Sequence, residues 1–272
     1  MTLVNQSEND TGLIISDQDV RLDGVALRVR SIRHEPETPR SALVFLHDSL
    51  GCIALWRDFP ERLARATGCN ALVYDRRGYG QSAPFGEAKR TIHYLEDEAQ
   101  VLANVLSQCG VERAILFGHS NGGSIALVAA AEFPDRIAGI ITEGGHVFVE
   151  ELTLVGIRAA QEQYRTTDLG AKLAKYHGIR TEAVFRAWAD TWLAPEFRAW
   201  NIEPYLPQIQ CPVLVLQGER DEYGTAEQVA AVVSQVQDAR PSKLLPGLGH
   251  TPHKEAAELV LELAAAFVAA VQ

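Results

Sequence analysis

The stretch Ala114-Ile-Leu-Phe-Gly-His-Ser-Asn-Gly-Gly-Ser-Ile-Ala-Leu-Val-Ala-Ala-Ala131 decides the fold. It joins a short apolar run, typical of a strand buried on both faces, to a segment of helical period. Ser120 lies at the sharp turn between them. Such a turn strains the serine backbone and brings Gly118 and Gly122 so close that larger side chains would collide. We therefore predict that the Ser120 hydroxyl is a nucleophile; a glycine-rich turn with Ser120 as a helix cap is the alternative.

Four further apolar runs resemble the strand before Ser120 and are separated from one another by segments of helical period. Together the runs predict buried strands at 42–46, 71–74, 114–117, 137–141 and 213–216. The helical segments are 54–66, 92–109, 124–131 and 225–236. This alternation predicts an α/β fold with a mostly parallel, doubly wound sheet. Residues 20–32 alternate around Asp23-Gly24 and predict an antiparallel edge hairpin.

The alternation of strands and helices stops between 145 and 206, where the sequence is helix-like and rich in aromatic residues. We interpret this segment as a helical cap inserted between the core segments 1–144 and 207–272. Parallel sheets bind ligands at the carboxyl ends of their strands, where such an insertion would lie. His146, Trp188 and Trp192 are therefore candidate pocket residues. The alternative is an ordinary helical subdomain whose aromatic residues form its own core.

A serine nucleophile needs a base, and eight histidines are available. His250 is the best candidate because its loop, Gly247 to Thr251, follows the run 242–245 and precedes the final helix. His253 falls where that helix begins and is interpreted as a surface or capping residue. Asp221, at the end of the strand 213–216, is the candidate carboxylate that orients the base, with Glu219 and Glu222 as competitors.

An anion that forms at the nucleophile needs backbone N–H donors. The amide of Asn121, at the start of the helix, is one candidate. The second is the amide of Ser49, which follows the strand 42–46 at the same edge of the sheet.

Composition limits the classes of partner and cofactor. The formal net charge is −10 and no basic block occurs, so we expect neither a nucleic-acid nor a membrane partner. The four cysteines are scattered without a CxxC pair, which favours reduced thiols in the cytoplasm and no metal site. We expect a small-molecule substrate and no cofactor, and a homo-oligomer is compatible with the sequence.

Taken in order, the motifs resemble those of the α/β-hydrolase superfamily over nearly the whole chain. They are Phe45-Leu-His-Asp-Ser-Leu-Gly51, Asp75-Arg-Arg-Gly-Tyr-Gly-Gln-Ser82, Gly118-His-Ser-Asn-Gly-Gly123, Gln217-Gly-Glu-Arg-Asp221 and Gly249-His250. The resemblance implies a Ser120, Asp221 and His250 triad, with Ser49 and Asn121 in the oxyanion hole. Many members have glycine where this chain has Asp48, so we expect a differently shaped oxyanion loop.

The expected reaction is acyl transfer to Ser120 followed by hydrolysis, with a carboxylic ester as the default substrate. A C–C hydrolase, a thioesterase, a lactonase and a cofactor-free perhydrolase share this chemistry and remain open. A non-catalytic small-molecule-binding protein is the alternative from another class, because fold alone does not decide function. Arg158 and Arg165 in the cap are candidates for binding a substrate carboxylate, although solvated helix arginines are commoner.

Overall fold

The computed structural model describes residues 7–8, 12–36, 41–87 and 89–272. Its strands are Ser7–Glu8 (β1), Leu13–Leu22 (β2), Val25–His34 (β3), Ala42–Leu46 (β4), Ala71–Tyr74 (β5), Ala114–His119 (β6), Ile137–Glu143 (β7), Val213–Gly218 (β8) and Lys243–Leu245 (β9). They form one sheet in the order β1-β2-β3-β5-β4-β6-β7-β8-β9. β1, β2 and β3 are antiparallel to their neighbours, and the pairs from β5 to β9 are parallel. The predicted α/β class with a mostly parallel sheet is confirmed.

Helices cover both faces of this sheet. They are Phe59–Thr67 (α1), Tyr94–Gln108 (α2), Asn121–Glu132 (α3), Glu151–Thr166 (α4), Leu169–His177 (α5), Thr181–Leu193 (α6), Ala226–Gln235 (α7), Pro252–Glu255 (α8) and Ala257–Val271 (α9). α1 and α9 bury apolar side chains in the core on one face, and α2, α3 and α7 do so on the other. Within the described ranges, no helix combines the length and apolar character needed to cross a bilayer.

The strands from β4 to β8 begin where the five predicted apolar runs begin. β4 and β5 have the predicted bounds. β6 is longer than its run because Gly118 and His119 continue the ladder opposite Thr142 and Glu143 of β7. The extra pairing brings the end of β6 directly to Ser120, so the nucleophile candidate lies at the carboxyl edge of the sheet.

The segment between β7 and β8 is helical, with α4, α5, α6 and short 3₁₀ turns. Many of its aromatic residues pack on one another: Tyr164 stacks on Phe185 at 4.1 Å between ring centroids, and Phe197 stacks on Trp200 at 5.6 Å. We refer to residues 151–208 as the helical insertion. The division of the chain into a core and a cap at 145 and 207 stays a prediction.

Close packing between Gly122 and β4 suggests a stability test. A Cβ at position 122 would lie 1.9 Å from the carbonyl oxygen of Leu46, a backbone atom that cannot move aside alone. We expect Gly122→Ala to lower the free energy of unfolding by at least about 2 kcal/mol. Gly145→Ala is the matched control, because its Cβ would meet nothing nearer than 3.5 Å. Urea unfolding measures both variants, and equal stability of the two would contradict this packing.

Candidate active site

Ser120 occupies a strained turn between β6 and α3. Its φ of 54° and ψ of −120° lie in a region that L-residues rarely adopt. Neighbouring hydrogen bonds hold this conformation: the Ser120 amide donates to the Glu143 carbonyl at 2.8 Å, and the Gly123 amide donates to the Ser120 carbonyl at 2.8 Å. A Cβ on Gly118 would lie 2.3 Å from the Gly122 carbonyl oxygen, so only glycine fits there. The turn places the hydroxyl at the amino end of α3.

His250 and Asp221 form a hydrogen-bonded pair across two loops. Nδ1 of His250 lies 2.8 and 2.9 Å from the two carboxylate oxygens of Asp221. The carboxylate also accepts hydrogen bonds from the Tyr223 amide at 2.8 Å and from the Gln217 side chain at 3.1 Å. Because a carboxylate only accepts, Nδ1 of His250 carries the proton, and Nε2 is left as the basic nitrogen.

The pair shifts the pKa of each partner. Burial of His250 disfavours its charged form, but the hydrogen bond to Asp221 and its negative charge outweigh burial, so the pKa of His250 is raised. Burial alone would raise the pKa of Asp221, yet the hydrogen bond and charge of His250 lower it. The imidazole is therefore a stronger base than free histidine.

The predicted site residues surround one cavity of about 300 Å³. Those that line it are Ser49, Ser120, Asn121, His146, Trp188, Trp192 and His250, while Asp221 contacts His250. Among the described residues, the side-chain hydrogen bonds of His250 go to Asp221 and none joins it to the Ser120 hydroxyl. Such a contact often tightens only when substrate binds. The structure thus brings the residues to one cavity, and their catalytic roles stay predictions.

Two backbone amides are available to stabilise an anion near Ser120. Asn121 is the first residue of α3, so its amide has no intrahelical acceptor. Within the described part of the chain, no hydrogen bond engages the backbone amide of Ser49. Asp48 does not have a positive φ, and its Oδ1 accepts a hydrogen bond from the Leu50 amide at 2.6 Å. An aspartate therefore shapes this loop through its side chain, without backbone strain.

Sequence reasoning missed two acid–imidazole pairs beside the triad candidates. Nδ1 of His119 lies 3.2 Å from Oδ2 of Asp48. His253, expected at the surface or as a cap, is buried, and its amide donates to Glu143 at 2.6 Å. A glutamate at the end of the buried strand β7 was the available signal for this second pair.

Together with His119, the Glu143–His253 pair has the residue types of a metal site. His119, Glu143 and His253 offer ligand atoms within 4.8 Å of one another. However, Glu143 already accepts hydrogen bonds from the amide and the ring of His253, while the two ring nitrogens of His119 face oxygen atoms of Asp48 and His250. Hydrogen bonding therefore accounts for the cluster.

His146, in the loop after β7, and the arginines of α4 have different surroundings. His146 is buried in the cavity wall and its Nε2 donates to the Tyr223 carbonyl at 3.0 Å. Burial and the nearby His250 lower the pKa of His146, so it is neutral. Arg158 and Arg165 are exposed and pair with acidic neighbours on the surface of α4. These arginines do not line the cavity.

His177, at the end of α5, connects the helical insertion to the core. Its Nε2 donates to the Leu50 carbonyl at 2.9 Å, and its Nδ1 accepts from the Gly80 amide at 3.1 Å. Burial lowers the pKa of His177, and a proton on Nδ1 would remove the hydrogen bond from Gly80. The neutral ring therefore holds the insertion against the loop that carries Ser49.

Comparison with known proteins gives one family match. Residues 41–205 match the family described as alpha/beta hydrolase fold. The chain is 27% identical to the serine hydrolase BPHL of Homo sapiens over 162 residues, which are 55% of this chain and 53% of the relative. It is 33% identical to a 2-hydroxy-6-oxononadienedioate/2-hydroxy-6-oxononatrienedioate hydrolase of Burkholderia vietnamiensis over 155 residues, 54% of this chain and 51% of the relative. The chain thus spans about half the length of these curated relatives.

A solved structure resembles almost the whole chain. The 2-hydroxy-6-oxo-6-phenylhexa-2,4-dienoate hydrolase of a Rhodococcus strain superposes with a TM-score of 0.76 at 16% identity, covering 92% of this chain and 97% of that one. At this level of identity the likeness shows the fold.

The His177 contacts predict how stability depends on pH. The pKa of His177 is 6.5 in the unfolded chain and lower in the folded protein. Below pH 6.5 the unfolded chain therefore binds a proton that the folded protein does not. The free energy of unfolding falls as pH drops from 6.5 towards the folded pKa. His177→Gln keeps one donor and one acceptor but does not titrate. We expect wild type to lose stability relative to this variant between pH 7.5 and 5.5 in urea unfolding. A difference that stays constant over this range would contradict the assignment.

Proposed function

Since the chain belongs to the α/β-hydrolase fold family, we propose that it is an enzyme, a serine hydrolase that cleaves a carboxylic ester through an acyl-enzyme intermediate. One observation carries the proposal: the strained Ser120 shares a cavity with an imidazole whose other nitrogen is held by Asp221. A strained serine, a base and an orienting carboxylate together are what nucleophilic acyl transfer requires.

In the first step, Ser120 Oγ attacks the ester carbonyl carbon while Nε2 of His250 takes the hydroxyl proton. The amides of Ser49 and Asn121 stabilise the oxyanion, aided by the amino end of α3. The C–O bond then breaks and His250 gives its proton to the leaving alkoxide. In the second step, water attacks the acyl carbon while Nε2 of His250 takes a proton from it. The bond between the acyl carbon and Ser120 Oγ then breaks, and His250 returns the proton to Oγ, which releases the acid and restores Ser120.

The cavity favours an apolar substrate of small or medium size. Its volume is about 300 Å³, and side chains of Leu55, Ile157, Leu173 and the two tryptophans, Trp188 and Trp192, form much of its wall. An ester is favoured over an amide because an alkoxide leaves more readily than an amine anion. We propose no cofactor for this reaction.

A second candidate is hydrolysis of a carbon–carbon bond in a vinylogous 1,5-diketone. The similarity to the Burkholderia vietnamiensis hydrolase, named for a 2-hydroxy-6-oxo dienedioate, favours it. A panel of p-nitrophenyl esters of rising chain length, thioesters and a vinylogous 1,5-diketone separates the candidates by their kcat/KM values.

We also propose that the enzyme works in the cytoplasm on a small molecule. Cys52, Cys109 and Cys211 are free thiols. Burial raises the pKa of Cys52 to about 12 and that of Cys211 to about 11, so both are unreactive thiols at neutral pH. Free, unreactive thiols suit a reducing compartment.

Removal of the nucleophile tests the mechanism. We expect Ser120→Ala to lower kcat/KM on p-nitrophenyl acetate at least about a thousandfold with little change in melting temperature. Ser234→Ala, on the exposed face of α7, is the control and should retain activity. Unchanged turnover by Ser120→Ala would remove Ser120 from the mechanism.

The dependence of rate on pH tests the base. Nε2 of His250 must be unprotonated to accept the serine proton, so kcat/KM should fall as pH drops through the pKa of His250. Because that pKa is raised, the midpoint should lie above 6.5. Initial rates with a p-nitrophenyl ester between pH 5 and 9 measure it, and a flat profile would show that His250 is not the base.

A further inference from the structure

Asp48 places a carboxylate next to the amide that is proposed to bind the oxyanion. We propose that Asp48 and His119 act as a second acid–imidazole pair, in which His119 neutralises Asp48 and holds the base loop in position. The inference rests on the proposed function and adds two positioning residues to it. Asp48 occupies the position where many α/β-hydrolases have glycine.

The geometry of His119 indicates a proton on each of its ring nitrogens. Nε2 lies 2.8 Å from the backbone carbonyl oxygen of His250, which can only accept a hydrogen bond. Nδ1 lies 3.2 Å from Oδ2 of Asp48. A bare lone pair on Nδ1 would face a carboxylate oxygen and repel it, whereas a proton there makes an ion pair. The arrangement therefore favours an imidazolium at position 119.

Asp48 is the matching anion. Burial disfavours its charged form, but pairing with His119 outweighs burial and holds the pKa of Asp48 well below its usual value. Lys254, which lines the same cavity, also favours the ionised carboxylate. The side chain of His119 is 2% exposed and that of Asp48 is 19% exposed, so water reaches the pair only from the side of the carboxylate.

The charge of Asp48 matters because of its place in the oxyanion loop. It directly precedes Ser49, and both residues line the cavity with Ser120. A carboxylate without a counter-ion there would oppose a second negative charge on the reacting oxygen. Pairing with His119 brings the combined charge of the two side chains to zero. The loop can therefore carry an aspartate and still stabilise an oxyanion.

The pair also connects three loops of the site. Asp48 belongs to the oxyanion loop, His119 directly precedes the nucleophile, and the carbonyl that His119 binds belongs to the base. Oδ1 of Asp48 meanwhile fixes the Leu50 amide. The side chains of Asp48 and His119 thus fix the distances between the oxyanion loop, Ser120 and His250.

A double-mutant cycle on p-nitrophenyl acetate tests the pair. His119→Gln keeps an N–H donor for the His250 carbonyl but leaves Asp48 without its counter-ion. We expect its kcat to fall by about tenfold or more, with KM within about twofold, because the charge acts on the developing anion. Asp48→Asn keeps an acceptor for Leu50 and should lose less. The double variant His119→Gln with Asp48→Asn should recover kcat to about the level of Asp48→Asn alone.

Glu227→Gln in the His119→Gln background is the control, since Glu227 is an exposed carboxylate of α7 that does not line the cavity. It should give no recovery. A double variant that melts like wild type and is no faster than His119→Gln would overturn the proposal. If the wild type has no turnover, or has turnover that Ser120→Ala does not abolish, the proposed function itself fails. This result differs from a failure of the Asp48–His119 pair alone, in which turnover depends on Ser120 but the double variant does not recover.

A spectroscopic measurement keeps the test independent of the folding of His119→Gln. Nitrogen-15 NMR of the wild-type histidine rings should show both His119 nitrogens protonated, and Asp48→Asn should remove the proton from Nδ1. An unprotonated Nδ1 in wild type would overturn the ion pair.

Discussion

The site depends on one backbone constraint, the positive φ of Ser120 between β6 and α3. This conformation costs free energy, and it persists because the ladder to β7 and the first turn of α3 hold both sides of the residue. The same turn needs glycine at 118 and 122, where the chain meets α3 and β4 without room for a Cβ. Strain in the backbone therefore gives the hydroxyl its place at the amino end of a helix.

The rest of the site follows from the sheet. Parallel strands end at a common edge, so the loops after β4, β6, β8 and β9 meet there although they are distant in sequence. Electrostatics then separates the groups into pairs: Asp221 with His250, Asp48 with His119, and Glu143 with His253. Each of these three carboxylates has an imidazole partner, which limits the cost of placing a charge so close to Ser120.

Much of this arrangement could be predicted from the sequence, because buried strands and the Gly-x-Ser-x-Gly turn leave local signals. The helix predicted at 54–66 divides at Arg57, whose positive φ separates a 3₁₀ turn from α1. α3 begins at Asn121, whereas the sequence predicted a start at 124. Gly122 and Gly123 are weak helix formers, so the first turn of α3 leaves no helical signal in the sequence. The partners of His119, His177 and His253 are Asp48, Gly80 and Glu143, which lie 71, 97 and 110 residues away in the sequence. No periodicity reports such contacts, since only the packed sheet creates them.

We propose above all that Ser120 is a nucleophile activated by His250. The most direct measurement is peptide mapping by mass spectrometry after the folded protein reacts with a fluorophosphonate. We expect a single adduct on the Ser120 hydroxyl, formed far more slowly in His250→Gln. An adduct on another residue, or a wild-type protein that stays unmodified while folded, would contradict it.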